Sequence, residues 1–150
     1  MTDSYDTEGK LFSVGGQVER VTVSLRIFGD ELDPDEISVL LNCEPTSKAR
    51  KGDVVAAAEG RQRVSPFGSW LLKSVEPEDV DLEEQVLKLL ARVSADRSVW
   101  QRLTQQYKVD LFCGLFMDMR SWNRGFLLTP KVLRELSERN LEIDFDIYAV

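Results

Sequence analysis

One group of basic side chains has a composition and spacing that suit an anion. Its members are Lys48, Arg50, Lys51, Arg61 and Arg63. If residues 54–64 fold as a hairpin, a guanidinium can lie over the Trp70 ring or hold a carboxylate or phosphate by a forked contact. We therefore predict an anion site formed by Arg50, Lys51, Arg61, Arg63 and Trp70. The alternative is a solvated loop with structural ion pairs, the commoner role of such charge runs.

A second candidate site combines acidic and aromatic side chains. Regular alternation along the predicted strands projects them away from the main apolar face of a sheet. The residues of this partner-binding candidate are Arg26, Phe112, Asp118, Asp144, Asp146 and Tyr148. Aromatic rings supply contact area and carboxylates attract Lys and Arg, so the face predicts a protein partner with a basic surface. The alternative is that residues 43–69 cover Phe112 and Phe116.

The residue types that most often carry catalysis or bind metals are scarce. Histidine, the commonest general base and metal ligand, is absent from the sequence. Cys43 and Cys113 are far apart, with no metal-ligand spacing around either. Asp144 with Asp146 lacks the spacing of a calcium loop, as do the acids of residues 31–36. We predict a non-enzymatic protein with no catalytic residues, no metal site and no cofactor.

The overall charge narrows the range of partners. The formal net charge is -7, which argues against nucleic acid, because binding to phosphates depends on Lys and Arg. The first ten residues lack the positive start and apolar run of a secretory signal. No later stretch approaches the roughly twenty apolar residues of a transmembrane helix. We therefore expect a cytosolic protein with neither a nucleic-acid nor a membrane partner.

A strand followed by a capped helix, within residues 18–42, must position these side chains. Alternating apolar residues predict the strand, namely Val21, Val23, Leu25 and Ile27. Asp33 is the predicted N-cap of the helix and Pro34 its first residue. Glu36 is predicted to close a capping box, and Leu32 to pack on Ile37 as a hydrophobic staple.

The rest of the chain reads as further strands and helices. Residues 54–58 and 61–64 are predicted to pair as a hairpin, and residues 70–75, 109–117 and 143–149 to form further strands. Predicted helices begin after the N-caps Asp81, Asp96 and Thr129. In the last helix, the predicted buried stripe consists of Val132, Leu133 and Leu136. Asn140 is expected to end that helix in the left-handed conformation.

These elements predict an α+β two-layer sandwich, a mainly antiparallel sheet with helices on one face. With 150 residues and 43% hydrophobic content, the chain suffices for one core, so residues 17–150 are predicted to form a single domain and residues 1–16 a flexible tail. Aligned on Pro34 and Pro130, the two halves match as strand–helix–strand units. Duplication is one explanation, and chance recurrence of helix-start residues is the other.

Several short segments, taken in order, give the chain a family resemblance. They are Leu25–Asp30, Leu32–Ile37, Glu44–Thr46, Lys51–Asp53, Gly68–Trp70, Asp81–Glu84 and Ile143–Tyr148. Their order resembles the bacterial domain of unknown function 4279 family. The resemblance extends over nearly all of the chain after the tail. It implies a bacterial, cytosolic, single-domain protein, and it implies no activity, cofactor or catalytic residue.

The acidic charge, the missing catalytic set and the acidic, aromatic face together favour a binding function. We expect a bacterial cytosolic module that binds another protein, as an immunity-like inhibitor of a basic partner would. The alternative is a small-anion or small-molecule binding module that uses the basic cluster. The sequence leaves the oligomeric state open.

Overall fold

The computed structural model describes residues 3–5, 11–13, 18–118, 120 and 124–150, and these form strands and helices close to those predicted. The strands are β1 Asp3–Tyr5, β2 Leu11–Ser13, β3 Arg20–Gly29, β4 Ser47–Ala49, β5 Val54–Ala56, β6 Gln62–Val64, β7 Gly68–Lys73, β8 Lys108–Met117 and β9 Glu142–Ala149. The α-helices are α1 Pro34–Leu41, α2 Leu82–Leu90, α3 Arg97–Gln106 and α4 Pro130–Glu138.

The main sheet has five strands in the order β4-β7-β3-β8-β9. The β8–β9 pair is parallel and the other three pairs are antiparallel. Alternate residues of β3, β7 and β8 form one buried cluster with side chains of all four helices. The helices therefore lie on one face of the sheet, which confirms the predicted α+β sandwich with a mainly antiparallel sheet.

Three predicted N-caps are present as hydrogen bonds. The Asp33 carboxylate accepts from the Asp35 N–H at 3.0 Å, the Asp81 carboxylate from the Glu84 N–H at 2.7 Å, and the Asp96 carboxylate from the Ser98 N–H at 2.9 Å. Each of these bonds satisfies a backbone donor that the first turn of a helix cannot pair internally. The sequence thus placed the starts of α1, α2 and α3 correctly.

Tertiary contacts replace two other predicted helix-start interactions. Glu36 accepts from the Arg102 guanidinium, which links α1 to α3. Thr129 occupies the N-cap position of α4, yet its side chain makes no cap bond, and its hydroxyl donates to Glu83 of α2. In both places the polar side chain bonds to a charged residue of a distant element and not to the backbone of its own helix.

The predicted buried stripe of α4 is wrong at one position. Val132 and Leu136 are buried, but Leu133 is 49% exposed. Both buried residues belong to the core cluster, and α4 packs against α2. The helix ends as predicted, since Asn140 has a φ of 54°.

The N-terminal prediction lies largely outside the described residues. Of the predicted flexible tail, residues 1–16, the structure describes two segments, β1 and β2, which pair antiparallel.

A helix long and apolar enough to cross a membrane is absent from the described part of the chain.

The predicted strand–helix–strand repeat is not reflected in the sheet topology. After α4 the chain returns as β9, which pairs parallel with β8. After α1 it continues into β4, which pairs with β7 and not with β3. The two proline-capped helices therefore belong to units with different connections.

Candidate functional site

The sheet face opposite the helices carries most of the predicted partner-binding residues, and we call it the open face. Strand alternation and the observed register assign its side chains. They are Arg20, Thr22, Ser24, Arg26 and Phe28 on β3, Ser69, Leu71 and Lys73 on β7, Lys108, Asp110, Phe112, Gly114 and Phe116 on β8, and Glu142, Asp144, Asp146 and Tyr148 on β9. Most are half-buried or exposed. Most of these side chains therefore have surface in contact with solvent.

A forked ion pair lies near the centre of the open face. Arg26 and Asp110 are directly opposite on β3 and β8. The Arg26 Nε and Nη2 atoms donate to the two carboxylate oxygens of Asp110, both at 2.8 Å. Asp110 is only 4% exposed, so this contact compensates a carboxylate that has lost most of its water. The same contact raises the pKa of the Arg26 guanidinium.

The Arg26 guanidinium also contacts side chains of β8 and β9. Its central carbon lies 4.4 Å from the centroid of the Phe112 ring. Its Nη2 atom is 3.5 Å from Asp144 Oδ2 on β9. One arginine therefore joins three strands, and it covers a ring face that would otherwise be exposed to solvent.

A group of stacked side chains lies on the open face near the C-terminal end of β8. The Arg20 guanidinium carbon is 4.1 Å from the Phe116 ring centroid. On β9, Tyr148 stacks against Phe116 with 4.9 Å between ring centroids. The Tyr148 hydroxyl donates to Asp146 at 3.0 Å, which raises the pKa of the tyrosine. The stack holds one tyrosine and one carboxylate in fixed positions at the edge of the sheet.

The structure brings together most of the predicted partner-binding residues. Arg26, Phe112 and Asp144 are in contact, and Asp146 and Tyr148 lie further along β9. Asp118 follows the end of β8, where its N–H donates to Glu19 and its carboxylate accepts from Arg120. It therefore lies at the margin of the open face.

Contacts from the face itself account for the partial burial of the two phenylalanines. Arg26 lies over Phe112, while Arg20 and Tyr148 enclose Phe116. From residues 43–69, Phe67 packs edge-on against Phe28 at the opposite end of β3. Residues 43–69 thus approach the open face at Phe28, whereas the rings of Phe112 and Phe116 are covered by side chains of the sheet.

The basic cluster is largely occupied by acids of the same chain. The Arg50 Nη2 atom is 2.8 Å from Asp33 and 2.7 Å from Asp35, and Lys48 is 2.8 Å from Asp35. Lys51 is 2.7 Å from Asp30. These pairs connect the segment around β4 to the start of α1. They correspond to the alternative of structural ion pairs.

Asp35 provides a direct test of these ion pairs. Hydrogen bonds from Lys48 and Arg50 lower its pKa to about 2. We expect an NMR titration to give that midpoint, and Lys48→Gln or Arg50→Gln to move it up toward 3.8, the ordinary value. Because the folded-state pKa is lowered, the contact stabilises the fold above the unfolded-state pKa and is lost as the pH falls toward 2.

The control for this titration is Arg63→Gln, a change in the same cluster at a residue that makes no contact with Asp35 among the described residues. It should leave the Asp35 midpoint unchanged. A midpoint near 3.8 in the wild-type protein would contradict the ion-pair geometry.

Trp70 is not available as a ligand platform, and this part of the anion-site prediction is corrected. Its side chain is completely buried, and its indole N–H donates to Ser38 Oγ at 3.0 Å. Ser38 in turn donates to the Pro34 carbonyl at 3.1 Å. Trp70 lies on the helix side of β7 and anchors α1, because alternation along β7 directs it into the core.

The two remaining basic candidates lie on the exposed β5–β6 hairpin. Arg61 is paired with Glu59 at 3.3 Å, and both side chains are more than three-quarters exposed. Arg63 is exposed on β6, opposite Val55. Arg61 and Arg63 therefore lie apart from the Trp70 ring, with which they were predicted to form an anion site.

The cysteines and acids do not form a metal centre in the described part of the chain. Within those residues, no group of three or more His, Cys, Asp or Glu side chains is placed to hold a metal ion. Both cysteines are free thiols. Cys113 is fully buried in β8, and burial raises its pKa to about 12. Its thiol therefore stays protonated and fills the core.

Comparison with known protein families gives a match over most of the chain. A family model described as a domain of unknown function (DUF4279) matches residues 19–150. That range contains all five strands of the main sheet and all four helices. Neither the curated proteins nor the solved structures contain a match.

Proposed function

The chain belongs to the DUF4279 family, and we propose that it is a bacterial cytosolic module that binds a basic protein and has no enzymatic activity. The proposed binding surface is the part of the open face formed by β8 and β9. Its central residues are Phe112, Asp144, Asp146 and Tyr148.

The observation that carries this proposal is the distribution of charge across the open face. Three of its four cations are paired, Arg26 with Asp110, Arg20 with Glu78 and Lys108 with Glu142. The fourth, Lys73, lies on β7, with two strands between it and β9. The side chain of Asp144 is 57% exposed, and its ion pair with Arg26, at 3.5 Å, is longer than that of Asp110 with Arg26, at 2.8 Å. Asp146 is exposed, and among the described residues it accepts a hydrogen bond from the neutral Tyr148 hydroxyl. The outer part of the face therefore presents negative charge beside aromatic rings.

Such a surface suits an inhibitor of a basic partner. Carboxylates accelerate the encounter with Lys and Arg side chains, and aromatic rings supply the buried area that holds a complex together. The formal net charge of -7 also favours the approach of a basic partner. An immunity-like role, in which the module covers a functional surface of a basic protein, uses both properties.

The small-anion alternative has less support. Arg50 and Lys51 are bound to acids of α1 and its preceding turn, and Trp70 is in the core. An incoming anion would have to displace Asp33 and Asp35 from Arg50.

The test is affinity capture from the native host with wild-type protein and an Asp144→Asn/Asp146→Asn variant, followed by affinity measurement on the captured partner. We expect a basic partner whose affinity falls about tenfold or more in the variant, equivalent to about 1.4 kcal/mol. The affinity of the wild-type protein should also decrease as salt is added, because exposed charges are screened.

A matched control separates a local effect from the change in net charge. Glu44→Gln/Asp79→Asn removes the same two charges at exposed positions outside the open face. It should retain the wild-type affinity within about threefold, a difference of under 1 kcal/mol. If Asp144→Asn/Asp146→Asn and Phe112→Ala both bind like the wild-type protein, the open face is not the binding surface.

A further inference from the structure

One edge of the main sheet is long and has no strand beside it among the described residues. The sheet ends at β4 on one side and at β9 on the other. The β4 strand has three residues, whereas β9 has eight. Very short edge strands limit pairing with other chains, and long ones offer a row of free backbone groups. The β9 edge is therefore the side of this sheet to which a further strand can be added.

The backbone register shows which groups of β9 are directed outward. The Val150 N–H donates to the Met117 carbonyl at 3.0 Å, one step beyond the Met117–Ala149 pair. Because N–H and C=O groups of successive residues point to opposite sides of a strand, the even-numbered residues of β9 pair with β8. The N–H and C=O groups of Ile143, Phe145, Ile147 and Ala149 are then directed away from the sheet.

We propose that β9 accepts an extended segment of the partner as a sixth strand, with Lys or Arg at every second position of that segment. This inference rests on the proposed function and specifies how the partner is held. Main-chain hydrogen bonds to the odd-numbered residues supply affinity, and alternate side chains supply selectivity.

Side chains of β9 on the open face define the chemistry of the incoming segment. Glu142, Asp144 and Asp146 occupy every second position. Side chains directly opposite on neighbouring strands have Cβ atoms about 5 Å apart, close enough for opposite charges to stabilise the pair. Lys108 already holds Glu142 at 2.6 Å, so Asp144 and Asp146 are the principal positions for Lys or Arg.

The other side of β9 favours an apolar residue between the basic ones. Ile147 points to the helix side of the sheet, yet it is 59% exposed. A neighbouring strand would place its own side chain beside Ile147 and remove apolar surface from water. The complementary segment therefore alternates basic and apolar residues.

The same charges argue against a second copy of this chain at the edge. If two β9 strands paired with each other, their Glu and Asp side chains on the open face would lie beside acids of the partner strand. Like charges directly opposite destabilise a strand pair. Acidic residues thus prevent self-association at the exposed edge, as charged side chains commonly do, and leave it selective for a basic segment.

The test uses a ten-residue synthetic peptide of alternating lysine and valine with the full-length protein. Hydrogen exchange followed by NMR should show that the peptide protects the amides of Ile147 and Ala149 at least about tenfold, because these N–H groups acquire acceptors. A peptide of the same composition with all lysines in one half should give less protection. Binding that leaves these outward amides unprotected would overturn strand addition.

Two variants at one position isolate the backbone contribution. Ile147→Pro removes an outward N–H and spares the bonds between β9 and β8, since proline is tolerated at an edge strand. It should weaken peptide binding about tenfold, or about 1.4 kcal/mol, while Ile147→Ala should weaken it less than about threefold. Equal affinity in the proline variant and the wild-type protein would also overturn the inference. If circular dichroism shows that the proline variant is unfolded, the amide protection measured in the wild-type protein tests strand addition instead.

The outcome is separable from that of the proposed function. Capture of a basic partner that depends on Asp144 and Asp146, without protection of the Ile147 and Ala149 amides by the peptide, would retain the binding surface and overturn strand addition. If neither the capture that depends on Asp144 and Asp146 nor the amide protection is observed, both proposals are overturned.

Discussion

Replacement of Arg26 with alanine is expected to lower the free energy of unfolding by about 3–5 kcal/mol. The reason is the carboxylate that remains. Asp110 is 4% exposed, and the forked contact with Arg26 supplies the charge compensation that allows it to be buried. Without that contact, the protein retains a desolvated charge, which costs more than the original pair contributes. The Phe112 ring also loses the guanidinium that covers it.

Denaturation by guanidinium chloride, followed by far-ultraviolet circular dichroism, measures this effect. The matched control is Arg20→Ala, because Arg20 also lies on β3 over a phenylalanine, but its salt bridge with Glu78 is half-exposed. It should cost about 1 kcal/mol or less. The double variant Arg26→Met/Asp110→Leu removes both charges together and should be far more stable than Arg26→Ala. Equal losses in Arg20→Ala and Arg26→Ala would show that Asp110 does not depend on its partner.

Replacement of Trp70 with alanine is expected to cost about 3–5 kcal/mol, the usual range for a buried tryptophan. The ring is completely buried between β7 and the helices, and it belongs to the core cluster. The substitution removes the apolar ring and leaves a cavity beneath α1. It also breaks the hydrogen bond from the indole to Ser38 Oγ.

Trp70→Phe separates the hydrogen bond from the packing. It keeps most of the apolar ring and should cost about 1–2 kcal/mol, since Ser38 retains its bond to the Pro34 carbonyl. Thermal and chemical denaturation of the two variants should give the same ranking. If Trp70→Ala is as stable as the wild-type protein, the tryptophan is not a core residue.

The local signals in the sequence were sufficient to locate most elements. Asp33, Asp81 and Asp96 cap helices as predicted, because a side-chain carboxylate one residue before a helix bonds to its own first turn. The alternation along β3 and β8 was equally reliable, since one face of each strand is buried under helices. Both the cap residues and the alternation are patterns among residues close in sequence.

Interactions between distant residues were not predictable from spacing. Arg26 and Asp110 are 84 positions apart, and their pairing depends on the register of β3 with β8. Alternation along the two strands places both on the polar face, but nothing in the sequence indicates that Asp110 is buried there. Asp33 is likewise predicted only as an N-cap, and its second role, binding Arg50 together with Asp35, follows from the path of β4.

The Trp70 prediction failed for a related reason. A tryptophan after a basic hairpin is compatible with ligand stacking and with core packing, and the choice between them depends on which face of β7 is covered. Trp70 pairs with Ile27 of β3, whose side chain is also fully buried. That pairing directs the indole into the core, and it is a property of the assembled sheet.

The β5–β6 hairpin forms its own two-stranded sheet and does not join the five-stranded one. Its tip contains Glu59 and Gly60, both with positive φ, and the space around Gly60 is empty. Turns of this kind tolerate inserted sequence, because lengthening them breaks no buried hydrogen bond and moves no core side chain. This tip is consequently the natural attachment point for a fluorophore-bearing loop or an epitope, leaving both the open face and the β9 edge unobstructed for partner measurements.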